Sequence, residues 1–328
     1  MRVVVRPSWV GISVLTALFA VGFEPAEPVQ YAPFALSLVF LGLPHGAVDH
    51  LVPGRLEGGV SARSIAIVAL LYATLASAYL VFWTIEPAAA FIFFILLTWF
   101  HWGQGDLYVL RILLRAQHPA PRTLKILTAV VRGGLPMLVP LLAFPGVYSE
   151  VAGSMVGIFS DSGTVAWIPA PAIRIFVAIT FLGVVSITLL WGYRCSPPEN
   201  RAAWALDVAE VGLLAAYFAV VPPIFAIGMY FCLWHAPRHI ARLMLLNRPS
   251  RNALEKGRFL PALKDFALDA TPLTAAALLL LAGLYFFVSE GVEGTAELLA
   301  LYLMLISILT LPHVLIVGLM DRRQGVWR

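Results

Sequence analysis

Apolar residues run through this chain in stretches of about 20, the length a helix needs to cross a bilayer, and short polar segments separate them. Ten stretches read as helices, near residues 8–23, 31–52, 64–84, 88–112, 127–147, 172–192, 203–220, 223–245, 270–288 and 297–320. Prolines and acidic residues punctuate them, as in Glu24-Pro25, Glu86-Pro87 and Pro222-Pro223. The pattern predicts an all-α fold: a polytopic transmembrane bundle of about ten helices, forming a single integral membrane domain over 1–328. The longest intervening segment, about 148–171, is expected to be a loop on the membrane surface.

Charge orients the bundle. Arg55, Arg63, Arg115, Arg122, Lys125, Arg194, Arg201, Arg248, Arg251, Lys256, Arg258 and Lys264 fall in alternate connections, and Arg322, Arg323 and Arg328 end the chain. The other connections hold Glu24, Glu27, Glu86, Glu150, Asp161, Glu290 and Glu293 and almost no base. By the positive-inside rule, both termini are expected to be cytoplasmic. Arg2 and Arg6 precede the first apolar run, but no small-residue cleavage site stands before Glu24, so that run is expected to be a retained helix.

Composition agrees. The 328 residues are 60% hydrophobic and 12% charged, with a mean hydropathy of +0.88; soluble domains carry about twice that charge fraction. The net charge of +4 belongs to the loops and reads as topology, not as a nucleic-acid footprint. Two cysteines, Cys195 and Cys232, are too few for a disulfide framework. The expected setting is a multi-pass membrane protein; no pattern fixes an oligomeric state.

Against this apolar background the histidines stand out. His45, His101, His235, His239 and His313 lie inside apolar stretches, 12 to 16 residues past the start of helices that all run from outside to inside. A spread of four residues is about 6 Å along the membrane normal. Ionisable groups in hydrocarbon are costly and face a site rather than lipid. Several imidazoles at one depth on different helices point to a metal centre, and imidazole suits iron, zinc or copper. His235 and His239 stand four apart and share a helix face, although Pro237 between them is expected to kink the helix. His45 and Asp49 share a face as well. The expected ligands are His45, His101, His235 and His239, from the helices near 31–52, 88–112 and 223–245. Asp49, Asp106, Glu210 and His313 are expected behind them, since ligand histidines give their second N–H to a carboxylate or carbonyl.

Other readings of the histidines remain open at this point. The paired histidines lack the glutamate of an H-E-x-x-H zinc protease, because Ala236 stands in its place. Two-iron membrane desaturases use more histidines than this chain has. A metal-binding transporter is the alternative of a different class, though no inverted repeat is evident. The lysines, Lys125, Lys256 and Lys264, lie in or beside loops, so no membrane lysine is available for a retinal Schiff base.

Four blocks, taken together, resemble the Brp/Blh family of bacterial and archaeal membrane β-carotene 15,15′-dioxygenases. They are Gly42-Leu-Pro-His45-Gly-Ala-Val-Asp49, His101-Trp-Gly-Gln-Gly-Asp106, Tyr230-Phe-Cys-Leu-Trp-His235-Ala-Pro-Arg-His239 and Leu311-Pro-His313. Trp102, in place of the usual phenylalanine, and Pro237 depart from the family pattern. The resemblance spans roughly 36–321 and implies iron(II) on His45, His101, His235 and His239, with Glu210 at the position of a family glutamate. It implies cleavage of the central double bond of β-carotene by O₂ to two retinals, with no catalytic group beyond the iron ligands. An apolar carotenoid and O₂ are then the partners, with the lipid bilayer as the source of substrate. Another carotenoid or another bond stays open. Trp102, Tyr230, Phe231 and Trp234 flank the histidines and are expected to line the substrate tunnel.

Overall fold

The computed structural model of the chain describes residues 5–160, 170–287 and 294–328. Arg2, Asp161, Glu290 and Glu293, used above for topology, lie outside them, as does most of the second half of the 148–171 segment. The described residues are helical throughout, with no strand among them.

Helix α1 spans Val5–Ala20. A second crossing, interrupted rather than uniform, comprises α2 (Glu27–Ser37), a π turn (Leu38–Gly42), α3 (Leu43–Ala47), a 3₁₀ turn (Asp49–Leu51) and α4 (Val52–Glu57). Then come α5 (Ala62–Ile85), α6 (Pro87–Tyr108) with a terminal π turn (Val109–Leu113), and α7 (Arg122–Ala143). They are followed by α8 (Pro145–Gly157), α9 (Pro171–Cys195) and α10 (Arg201–Val220). The eighth expected crossing is α11 (Pro223–Tyr230), a π turn (Phe231–His235) and α12 (Ala236–Leu246). The chain closes with α13 (Arg248–Glu255), α14 (Phe259–Phe287) and α15 (Thr295–Gln324).

Eight of these helical stretches are long and apolar enough to cross a membrane. The other two expected crossings differ for visible reasons. Helix α1 has 16 residues, and the stretch 223–246 is made polar by His235, Arg238, His239 and Arg242. Two helices were not expected. Helix α8 occupies the start of the predicted surface loop, begun by Pro145 at its first position, where a missing N–H costs nothing. Helix α13 is short and amphipathic. Helix α14 begins eleven residues before its apolar stretch, because Asp265 and Asp269 find partners there in Ser250 and Arg55.

Burial separates an inner set of helices from an outer one. About half or more of the apolar windows of 27–57, α7 and α15 is buried, against 11% for α5, α9 and α14. The outer helices are nevertheless apolar all round: Ile85, Phe176 and Leu279 are 68%, 69% and 74% exposed. A helix with an apolar outward face needs hydrocarbon around it, so the surrounding phase is lipid.

The closest inner pair is α6 with α7. A Cβ on Gly103 would sit 1.9 Å from the Ala129 carbonyl oxygen, and one on Gly133 1.9 Å from that of Trp99. Glycine at these positions lets the two backbones touch, as small residues do between membrane helices. The start of α1 and the end of the chain meet at one end of the bundle, where Val5, Leu107, Val109 and Val326 pack in one cluster. Gly325, at φ 71°, turns the chain out of α15, and Lys125 Nζ donates to the Trp327 carbonyl at 3.3 Å.

Candidate metal centre and cavity

The elements that carry His45, His235 and His239 are locally irregular, whereas α6 and α15 are α-helical at their histidines. The π turn Leu38–Gly42 ends two residues before Pro44 and three before His45. The π turn Phe231–His235 ends two residues before Pro237. Proline has no N–H to give to the residue one turn back, and a wider turn ahead of it absorbs the lost bond. Pro237 therefore sits at the start of α12, directly after the π turn. The rings of His235 and His239 stay nearly parallel, 6° apart in plane and 6.4 Å between centroids. His313 follows Pro312 inside α15.

The five histidines meet in one place. Ring centroids of His45 and His313 are 4.9 Å apart, of His101 and His313 4.7 Å, and of His101 and His235 4.9 Å. His45 lies 5.4 Å from His239 and 5.8 Å from His235. Ring nitrogens of His45, His101 and His313 fall within 4.8 Å of one another, as do ligand atoms of Asp49, His239 and His313. His313, expected at the periphery, is thus in the middle, while His235 lies towards the edge, stacked on Phe231 at 5.5 Å. All five are buried.

Donor chemistry in the cluster suits a cation. Nε2 of His101, His235, His239 and His313 is buried with no hydrogen-bond partner among the described residues. Such orphans are costly unless something absent from the protein atoms accepts their lone pairs. His45 sets its ring through Nδ1, 3.2 Å from the Leu41 carbonyl. His313 sets its ring through Nδ1, 2.7 Å from Asp49 Oδ2, and the Tyr72 hydroxyl donates to the same oxygen. The residues therefore fit a bound transition metal.

Asp106 and Glu210 stand apart from the imidazoles. Glu210 accepts from Arg132 Nη2 at 2.6 Å, from Arg238 Nη2 at 3.3 Å and from Trp9 Nε1 at 2.9 Å. Asp106 accepts from Trp234 Nε1 at 3.1 Å and from Arg238 Nη1 at 3.4 Å. Asp207 joins through Arg132 Nε at 3.0 Å and His118 Nε2 at 2.8 Å. A carboxylate buried in a bundle goes to the nearest cation, and here two guanidiniums outcompete neutral rings. The network ties α1, α6, α7, α10 and α12 together behind the site. Sequence spacing showed the acids but not Arg132, because a lone arginine in an apolar stretch has no periodic signature.

An apolar cavity of about 550 Å³ opens onto the histidines, with His45, His101, His235 and His313 in its wall. Trp102 and Phe231 line it as expected; Tyr230 and Trp234 do not. Tyr230 is buried behind Trp102, 5.0 Å away ring to ring, and Trp234 turns its N–H to Asp106. Phe34, Tyr72, Phe91, Phe94, Tyr148 and Tyr302 are also in the aromatic wall.

A family profile described as Beta-carotene 15,15'-dioxygenase matches residues 36–321. The chain belongs to the β-carotene 15,15′-dioxygenase family. That family match contains all five clustered histidines, Asp49 and Tyr72. The probable beta-carotene 15,15'-dioxygenase Blh of Halobacterium salinarum is 39% identical over 330 residues, covering 99% of this chain and 95% of the relative. The probable beta-carotene 15,15'-dioxygenase Brp of the same species is 31% identical, covering 95% and 90%. A beta-carotene 15,15'-dioxygenase from an uncultured marine bacterium is 24% identical over 298 residues, covering 90% and 94%. No solved structure matches the chain.

Proposed function

We propose that this protein cleaves the central double bond of β-carotene with O₂ to give two retinals, using iron(II) held by His45, His101, His235 and His239. The carrying observation is the position of the histidines part-way along an apolar cavity. On α6 the lining begins at Phe91, ten residues before His101, about 15 Å along the helix. On α5 it reaches Ile65, seven residues before Tyr72, about 10 Å in the opposite direction. Tyr79 of α5 donates to the Ala90 carbonyl and Tyr72 to Asp49, which fixes these two directions relative to each other. A rod-shaped polyene threaded through both arms presents a bond near its middle to the imidazoles, which supports central over terminal cleavage.

Iron(II) in this site supplies the binding and activation of O₂. The protein's own part is to hold the polyene straight, align one double bond and keep water out. Aromatic and aliphatic walls perform the first two tasks, and the scarcity of hydrogen-bonding groups along the arms performs the third. No side chain is needed as a general acid, because inserting two oxygen atoms across the bond leaves two aldehydes without net proton transfer.

Substrate is apolar and arrives from lipid. Ala69 of α5 and Leu273, Ala276 and Leu280 of α14 both line the cavity and face outward, so the slot between these helices is its lateral mouth. The archaeal and bacterial relatives support the prokaryotic cell membrane, and the basic loops support both termini on the cytoplasmic side.

The test is an aerobic assay of detergent-purified, iron(II)-loaded protein with β-carotene, with products separated by chromatography. Retinal as sole product is expected. Two unequal apocarotenals would place the cut off centre, and intact β-carotene with protein shown to hold iron would refute the substrate.

A further inference from the structure

We propose that His313 is itself an ion-facing ligand, held in that role by Asp49 and Tyr72, so that the metal centre draws on five imidazoles. This rests on the reading of the histidine cluster as a metal site and assigns it a residue from the last helix.

Position comes first. His313 is the histidine that the others surround, with ring centroids 4.7 Å from His101, 4.9 Å from His45 and 5.2 Å from His239. Both sets of ligand atoms that lie within 4.8 Å of each other include it. An ion placed among His45, His101 and His239 has this ring as its nearest remaining neighbour.

Protonation follows from the hydrogen bonds. An ionised carboxylate only accepts, so the 2.7 Å contact between His313 Nδ1 and Asp49 Oδ2 puts the ring proton on Nδ1. The neutral ring then carries its lone pair on Nε2. That atom is buried and has no partner among the described residues. An imidazolium would leave an N–H equally unsatisfied there, facing other nitrogens. A cation is the partner that suits a lone pair among lone pairs.

Asp49 is built for this duty. Its Oδ2 takes the Tyr72 hydroxyl as well as His313, which fixes the plane of the carboxylate. A carboxylate behind a ligand imidazole fixes the tautomer and raises its basicity, the usual support of metal-bound histidine. Among the described residues, none of the other four clustered histidines has a carboxylate partner. Tyr72 also sits in the cavity wall, so the support of the ligand adjoins the bound polyene.

The experiment compares wild type with His313→Ala, His313→Gln, Asp49→Asn and Tyr72→Phe, each purified in detergent. Iron affinity is measured by chelator competition, and coordination by the visible spectrum of the cobalt(II)-substituted protein. Expected are at least a 10- to 100-fold loss of affinity in His313→Ala and about a 10-fold loss in Asp49→Asn, with a smaller loss in Tyr72→Phe. The cobalt bands are expected to shift in both His313 variants, which a packing role would not produce. Wild-type affinity and an unchanged cobalt spectrum in the His313 variants would overturn the proposal. If those variants do not fold, Asp49→Asn, which keeps the shape of the side chain, decides by the same two readouts. Failure of the wild type to bind any transition metal would overturn this assignment together with the metal-site reading, whereas metal binding without retinal formation would leave the ligand assignment standing and refute only the reaction.

Discussion

Arg132 is 1% exposed inside the bundle and touches Asp207 and Glu210 directly, with Asp106 at 3.5 Å. Its removal strands buried carboxylates. Arg132→Met is expected to destabilise the protein by about 3–5 kcal/mol, the usual result of deleting one partner from a buried ion pair. Thermal unfolding in detergent checks this, and an unchanged midpoint would mean the network relaxes around the loss. Arg238 stacks on Trp234 at 3.6 Å from the ring centre while bonding Asp106 and Glu210. It stands on α12 between His235 and His239, so it anchors the ligand pair from behind. His101 has no partner on either ring nitrogen among the described residues. His101→Ala is therefore expected to abolish tight iron binding and activity without a large fall in apo-protein stability; metal analysis and apo unfolding curves read the two effects separately.

At the level of elements, prolines and glycines decide where the ligands point. Pro44, Pro237 and Pro312 each lie next to, or two residues from, a clustered histidine. In the first two cases a π turn precedes the proline. Pro237→Ala restores a backbone donor and favours a regular helix through 223–246, which rotates His235 relative to His239. About a 10-fold loss of iron affinity is expected, measured by chelator competition; full retention would show that neighbouring helices alone set the geometry. Gly103 and Gly133 act differently, by letting α6 reach α7. With a carbonyl oxygen 1.9 Å from the position of a Cβ, Gly103→Val cannot be accommodated without parting the helices. It is expected to yield little monodisperse protein in size-exclusion chromatography. At the lateral mouth the small side chain of Ala276 leaves a path to lipid. Ala276→Trp is expected to lower the rate with membrane-dissolved β-carotene several-fold while iron content stays at the wild-type level.

For the whole molecule, the governing fact is an apolar outer face around an interior that holds buried charges beside its hydrophobic core. Leu, Ile and Phe cover the outer helices, and the interior holds Arg132, Arg238, Arg242, Asp106, Asp207, Glu210, Asp321 and the histidines. Arg242 donates to Asp321 at 2.7 Å and covers the Tyr108 ring at 3.9 Å, joining α12 to α15 near the ends of the chain. Lipid removes the hydrophobic drive to bury aliphatic residues, so packing, ion pairs and hydrogen bonds hold the bundle. Val5 of α1 and Val326 lie at one end. Reporter fusions at the C-terminus are expected to show a cytoplasmic location, and protection at the opposite face would reverse the assigned orientation.

The sequence by itself determined the helical class, the eight long apolar helices and the family, because twenty-residue apolar runs and short motifs are local signals. It also named all five histidines, since an ionisable residue in an apolar run is conspicuous in one dimension. Tertiary structure decided their roles. His313, 74 residues beyond His239, became central because α15 packs into the same space. Asp106, five residues past His101, and Glu210, on α10, turned instead to Arg132 and Arg238. Tyr72 gained a task that nothing in its own segment announces. Tyr230 and Trp234 went to the interior while Phe231 reached the cavity, because a π turn re-aims neighbouring side chains in a way helical periodicity does not encode. Element identity follows from hydrophobic pattern along the chain; which polar groups meet is set by distances across it, and those exist only once the helices are packed.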